Sequence, residues 1–277
     1  MEMTAETEIM TTAATASSAA ETAPRSVFDR VLVGVDARRL SLAACRQVRR
    51  LADPHAIIEA ATVTLFPPAT AAALGVDELA ERLERDAQAA LLAAQGILGP
   101  SAELRRLDGL TVDALLDEAK RTNATLLAIG APEHPRIEEI VFGGVGGELL
   151  HRASCSTLLA RPAPDEANFP ASIVVGVDGS KPAERGYEVA SNLATRRHSN
   201  LRSVVALGGK HVNLDEILSR HPEVEPAAPA AVPALVEAAS SADLLIVGSR
   251  GLHGPRALGS VSERIAHRAS CSVLVVR

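Results

Sequence analysis

The sequence predicts an α/β protein made of two doubly wound parallel-sheet units in tandem. Three observations carry this. Short apolar runs of strand length alternate with amphipathic helical stretches along the chain. Two of these runs, Val31-Leu32-Val33-Gly34-Val35-Asp36 and Ile173-Val174-Val175-Gly176-Val177-Asp178, are near copies that end in a carboxylate. The hexapeptide His151-Arg152-Ala153-Ser154-Cys155-Ser156 recurs letter for letter as His267 to Ser272. Motifs repeated in one order mark an internal duplication. Right-handed crossovers then place helices on both faces of each sheet.

Residues 1–26 are rich in Ala, Thr, Ser and Glu, with little to bury, and read as a disordered acidic tail. They lack the basic and apolar regions of a secretory signal. The first unit spans 27–162. Val31 to Asp36 is its first strand, and a helix follows from about Leu40 to Leu51. Ala56 to Leu65 is the second strand, broken by Phe66-Pro67-Pro68. Val76 to Ile97 is the longest helical pattern, with Leu79, Leu83, Ala87, Ala90, Leu91 and Ala94 on one face. Ala102 to Leu107, Thr125 to Ile129 and Cys155 to Ala160 complete the strands. The helices Thr111 to Lys120 and Val145 to Ala153 lie between them.

Residues 163–170 form a linker, and the second unit spans 171–277. Leu244-Leu245-Ile246-Val247-Gly248 answers to Leu126-Leu127-Ala128-Ile129-Gly130. This unit is shorter where the first has its long helix. It offers a short helix over Asn213 to His221, a third strand at Glu223 to Glu225 and a helix over Ala230 to Ser240. Pro233 fits only the first turn of that helix. Ser260 opens a last helix, and Cys271 to Arg277 is the closing strand.

Composition narrows the function. The net charge is -6, aromatics make up 2% and Trp is absent. A nucleic-acid binder needs a basic face and usually stacking platforms, so none is expected. No apolar run reaches the ~18–20 residues of a membrane span. The three cysteines contain no Cys-x-x-Cys pair, which fits a reduced cytoplasmic chain without a thiolate zinc site. The eight histidines show no helical metal pair.

The chemistry-bearing stretch is Gly248-Ser249-Arg250-Gly251, followed by Gly254 and then Gly259-Ser260-Val261-Ser262. A glycine loop between a strand end and a helix start suits an anion, because free N–H groups and the helix dipole both point at it. The bland reading is a turn. Ser260 with Glu263 also makes a capping box, and Asp178 before Gly179-Ser180-Lys181-Pro182 suits an Asx turn or cap. No Walker-type phosphate loop or nucleophile elbow is present.

Over Val31 to Arg277 the chain resembles the universal stress protein family in a tandem arrangement. The markers are Asp36 and Asp178, the glycine loop after the fourth strand and the closing Cys-Ser-x-Leu strand. The resemblance implies two Rossmann-like domains, akin to adenine nucleotide alpha hydrolases, with strand order 3-2-1-4-5. It implies pairing of final strands about a two-fold, as a homodimer or as an intramolecular pseudo-dimer. It also implies binding of ATP, with AMP as the alternative. The residues carried over are Asp178, Gly179, Gly248, Arg250, Gly251, Gly259, Ser260, Val261 and Ser262. Seven residues, Leu252 to Leu258, separate Gly251 from Gly259, two fewer than the family pattern. The first unit keeps Asp36, Gly130 and Gly143 but has Glu133 and Gly144 where the pattern wants glycine and a hydroxyl. Glu133 would oppose a phosphate by on the order of 4 kcal/mol per charge pair. The expected function is adenine-nucleotide sensing in stress regulation, mainly by the second unit, with an unidentified regulatory protein as partner. A nucleotide-free interaction module is the alternative, and slow ATP hydrolysis a weaker one. No catalytic or metal residue is expected.

Overall fold

The structure, a computed structural model, describes residues 27–36, 38–65, 73, 75, 77–131, 144–208, 212–249 and 260–277. The expected tail over 1–26 lies outside them. So do Glu133, Gly143 and the candidate site residues Arg250, Gly251 and Gly259.

The first half contributes β1 (Arg30–Gly34), α1 (Arg39–Leu51), β2 (Ile57–Thr64), α2 (Asp77–Leu98), β3 (Glu103–Asp108), α3 (Thr111–Arg121), β4 (Leu126–Gly130), α4 (Val145–Arg152) and β5 (Ser156–Ala160). The second contributes β6 (Ser172–Gly176), α5 (Lys181–Arg197), β7 (Asn200–Ala206), α6 (Leu214–Arg220), β8 (Glu225–Ala227), α7 (Ala231–Ala238), β9 (Leu244–Gly248), α8 (Ser260–Arg268) and β10 (Ser272–Val276).

All strands join one ten-stranded sheet in the order β3-β2-β1-β4-β5-β10-β9-β6-β7-β8. Within each half the order is 3-2-1-4-5 and the pairings are parallel. The halves meet through β5 and β10, which pair antiparallel with Leu158 opposite Leu274. The two sheets expected from the sequence are thus halves of one continuous sheet, related by a pseudo-two-fold at this seam.

Alternation along each strand splits the core between the two faces. Val31, Val33, Ile173, Val175, Leu244 and Ile246 pack with α1, α2, α5 and α6. Leu32, Val174, Leu245 and Val247 pack with α3, α4, α7 and α8. Helices on both faces explain why these strands read as unbroken apolar runs. Each fully buried Leu or Ile contributes about 1.5–3 kcal/mol relative to exposure.

The third strand of the second half lies two residues later than expected. β8 holds Glu225, Pro226 and Ala227, paired to Val204, Val205 and Ala206. Pro226 has no N–H to donate, and an edge strand needs hydrogen bonds on one side only, so it is tolerated there.

The seam carries a buried polar network. Ser272 Oγ donates to Gln47 Oε1 at 2.8 Å and accepts the N–H of Arg161 at 2.9 Å. Gln47 Nε2 in turn donates to Arg161 O at 2.6 Å. The Arg161 guanidinium is buried and donates to the carbonyls of Cys271 and Ala266 at 3.0 and 2.7 Å. The Ala266 carbonyl is an acceptor that the last turn of α8 leaves open, and Cys271 lies just before β10.

Candidate nucleotide site

The crevice to consider lies where the chain order reverses. In each half the first strand is flanked by the second and the fourth, so connections leave in opposite directions. In doubly wound sheets ligands bind outside the carboxyl ends of strands at that point. In the second half those ends belong to β6 and β9.

Asp178 follows β6 by two residues and is exposed. Its Oδ1 accepts the N–H of Ser180 at 3.0 Å, which is an Asx turn. Ser180 caps α5, its Oγ accepting the N–H of Ala183 at 3.3 Å, with Pro182 in the first turn. Among the described residues Asp178 Oδ2 has neither an ion pair nor a second hydrogen bond. The first half differs. Asp36 makes the same turn with the N–H of Arg38, but Arg38 Nε also lies 3.8 Å from Asp36 Oδ2.

Gly179 has φ +79°, a left-handed conformation that favours glycine. A Cβ there would lie 3.5 Å from Ile217 of α6 and 4.0 Å from the guanidinium of Arg220. α6 therefore stands over the mouth of the crevice. Arg220 is held by Glu184 and Glu216, both at 2.8 Å. Nothing in the sequence brought Arg220 to the site, because it lies on a different element some forty residues after Gly179.

Gly248 closes β9. A Cβ there would lie 2.3 Å from the Pro182 carbonyl and 2.6 Å from Ala183 N. The first turn of α5 crosses the strand end at a distance only glycine permits. Gly130 is in the same position, 2.4 Å from the Leu40 carbonyl. Ser262 is 5% exposed and donates to Gly248 O at 3.0 Å, so its hydroxyl ties α8 back to the strand. Val261 packs against the α8-side core. Ser260 opens α8, whose first-turn N–H groups lack intrahelical acceptors. Ser249, noticed in the sequence only as a residue between glycines, is fully buried. Its N–H donates to Val276 O at 2.8 Å, while its hydroxyl has no partner among the described residues.

The structure thus gathers Asp178, Gly179, Gly248, Ser260, Val261 and Ser262 at one end of β6 and β9. A cavity of about 690 Å³ lies elsewhere, lined by Phe28, Thr125, Ser156, Val189, Asn192 and Arg277, and contains none of these. Among the described residues no cluster of three His, Cys, Asp or Glu is placed to hold a metal. No described helix is long and apolar enough to cross a membrane.

The model of the universal stress protein family matches residues 28–161 and 210–277. A universal stress protein of Mycobacterium tuberculosis is 31% identical over 56% of this chain and 62% of its own length. The chain thus spans about three fifths of that relative. One from Mycolicibacterium smegmatis is 27% identical over 89% of this chain and 96% of its own length. Among solved structures, a universal stress protein from Archaeoglobus fulgidus superposes with a TM-score of 0.67 at 17% identity, covering 91% of this chain and 97% of that one. A putative one from Pseudomonas aeruginosa gives 0.61 at 15% identity, covering 90% and 93%. The structural likenesses establish the fold, the family model matches the first half and residues 210–277 of the second, most of the chain, and the chain belongs to the universal stress protein family.

Proposed function

We propose that this protein binds an adenine nucleotide, ATP or AMP, in the crevice at the carboxyl ends of β6 and β9, and acts as a nucleotide-responsive binding protein rather than an enzyme. The observation that carries the reading is Asp178 Oδ2, an exposed carboxylate oxygen at the switch point that has no partner among the described residues. A ribose hydroxyl or an adenine amino group is the donor such an oxygen suits. The first-turn N–H groups of α8 offer the phosphates the partial positive charge of a helix terminus. The first half is the weaker candidate on two counts. Arg38 stands beside the Asp36 carboxylate, and Glu133 takes the place of a glycine. We assign the protein to the cytoplasm on its three buried, unpaired cysteines and propose a regulatory protein as its downstream partner.

A second reading has support of its own. Gly248 is glycine because α5 crosses it, and Ser262 bonds inward. Both are then structural, and the protein is a nucleotide-free interaction module.

One experiment separates the two. The purified protein is denatured and the supernatant assayed for released ATP and AMP, and fresh protein is titrated with ATP by calorimetry. Binding is expected in the wild type and is abolished by Gly251→Glu, which reproduces Glu133 of the first half. Asp178→Ala weakens it at least about tenfold, the loss of one charge-assisted hydrogen bond. No heat of binding at millimolar ATP, with no nucleotide released, would leave the interaction module as the function.

A further inference from the structure

Two glutamates of the first half are buried against each other with a single guanidinium reaching both. Glu59 on β2 is 3% exposed and Glu118 on α3 is 6% exposed. Arg121 Nη2 lies 2.7 Å from Glu118 Oε1 and 3.1 Å from Glu59 Oε2, and its Nε lies 2.8 Å from Glu118 Oε2. From β3, Arg105 Nε lies 3.4 Å from Glu118 Oε1, and Glu103 adds negative charge near Glu59. The charged groups around Glu59 are therefore Glu118 and Arg121 from α3 and Glu103 from β3, with Arg105 behind Glu118. Both oxygens of Glu118 have donors. Glu59 Oε1 is buried and has no partner among the described residues.

An ionised Glu59 leaves that oxygen in a low-dielectric interior with nothing to bond. A protonated Glu59 becomes a donor, and the neighbouring carboxylate is Glu118, which meets the same Arg121 nitrogen. We propose that Glu59 and Glu118 hold one proton between them and that this proton fastens α3 to β2, giving the first half a pH-operated latch. Burial acts first, then the hydrogen bond to Glu118 and its charge. Together they push Glu59 up to about 7 against the pull of Arg121. Glu118 moves down, drawn by Arg121 and by the bond from Glu59.

The sign follows from linkage. Glu59 in the fold holds its proton above the value of 4.5 at which the unfolded chain releases it. Its contribution to stability is complete below about 4.5 and is lost as pH rises through about 7. Glu118, shifted down, acts with the opposite sign and only on the acid side of its ordinary range. The neutral range therefore belongs to Glu59.

The second half has no such pair. Val35 N bonds Ala61 O and Val177 N bonds Val204 O, a register that puts Arg202 in the place of Glu59. Arg202 meets Glu225 at 2.7 Å on the exposed edge. Ala238 and Ser241 stand where the first half has Glu118 and Arg121.

The test uses the full chain. Urea unfolding of wild type and Glu59→Gln is followed from about pH 5 to pH 8.5 at fixed ionic strength. The ratio of their unfolding constants, wild type over variant, is expected to rise about tenfold per pH unit up to about pH 7 and then level off. A ratio that stays flat overturns the proposal. Two measurements on the wild type hold even if the variant folds poorly. The Glu59 side-chain carboxyl carbon should titrate by NMR with a midpoint near 7, and a midpoint in the ordinary glutamate range overturns the shared proton. Amide exchange over Thr111–Arg121, corrected for its intrinsic pH dependence, should quicken as Glu59 ionises. Unchanged protection there overturns the latch.

Discussion

His151 Nε2 on α4 lies 3.1 Å from Glu263 Oε1 on α8, across the pseudo-two-fold that relates the halves. The duplication places His267 as the counterpart of His151, and Gly147 as the counterpart of Glu263. The geometry keeps that symmetry, because a Cβ on Gly147 would lie 3.8 Å from the imidazole of His267. One half of the contact is thus made and the other lacks its carboxylate. Gly147→Glu is expected to supply it in ordinary van der Waals contact. The gain is up to about 1 kcal/mol from removing a glycine in the first turn of α4, plus up to ~1 kcal/mol from a part-exposed pair. Urea unfolding of Gly147→Ala beside Gly147→Glu separates the two contributions. Equal stability of the two variants would mean that His267 gains nothing from the carboxylate.

Gly248→Ala and Gly130→Ala should both destabilise the fold. The added carbon meets backbone atoms of α5 or α1 at 2.3–2.4 Å, and backbone in the first turn of a packed helix yields little. A loss of about 2–3 kcal/mol is expected in each, read as a lowered denaturation midpoint. Loss of nucleotide binding in Gly248→Ala would then say nothing about direct contact, which is why Gly251→Glu is the sharper probe of the loop.

Much of the fold is legible because the duplication is legible. Asp36 and Asp178, Gly130 and Gly248, and the repeated His-Arg-Ala-Ser-Cys-Ser each mark the same place in two copies, and local patterning supplies the elements between them. What patterning leaves out is long-range. Glu59 sits inside an apolar run whose meaning depends on Glu118 and Arg121, some sixty residues on. The reason for Gly248 is Pro182, which no local spacing announces. Of the candidate site, the strand ends and the start of α8 are readable, whereas Ile217 and Arg220 meet Gly179 from a separate element that no local pattern links to it. The fusion of two sheets into one, with Leu158 facing Leu274, is the intramolecular pseudo-dimer that the family resemblance implies; patterning alone does not choose a partner between two equally apolar strands.

Ser272→Ala should cost more than Ser156→Ala, although the two serines are counterparts. Ser272 serves both Gln47 and the N–H of Arg161 inside the seam. Among the described residues Ser156 Oγ accepts one 3.3 Å bond, from Arg277 N, and Val189 occupies the place of Gln47 on α5. Removing the Ser272 hydroxyl leaves two buried polar groups short of a partner, worth about 1–3 kcal/mol. Removing that of Ser156 is worth under about 1.5 kcal/mol. Chemical denaturation of the two variants under one condition makes the comparison, and equal losses would remove the Gln47 network from the account of the seam.

The three thiols should resist modification in the folded protein. Burial pushes Cys45 up to about 12 and Cys155 and Cys271 up to about 11, against the opposing pull of Arg46, Arg277 and Arg161. The thiolate is the reactive form. Thiols raised that far keep about a hundredth or less of the usual thiolate at pH 8. Iodoacetamide labelling at that pH, followed by intact mass, should therefore run at least about a hundredfold slower in the native protein than in urea. Full labelling should follow unfolding. Rapid single labelling of the native chain would identify a thiol that the fold exposes, and mapping the modified peptide to Cys45, Cys155 or Cys271 would locate the opening.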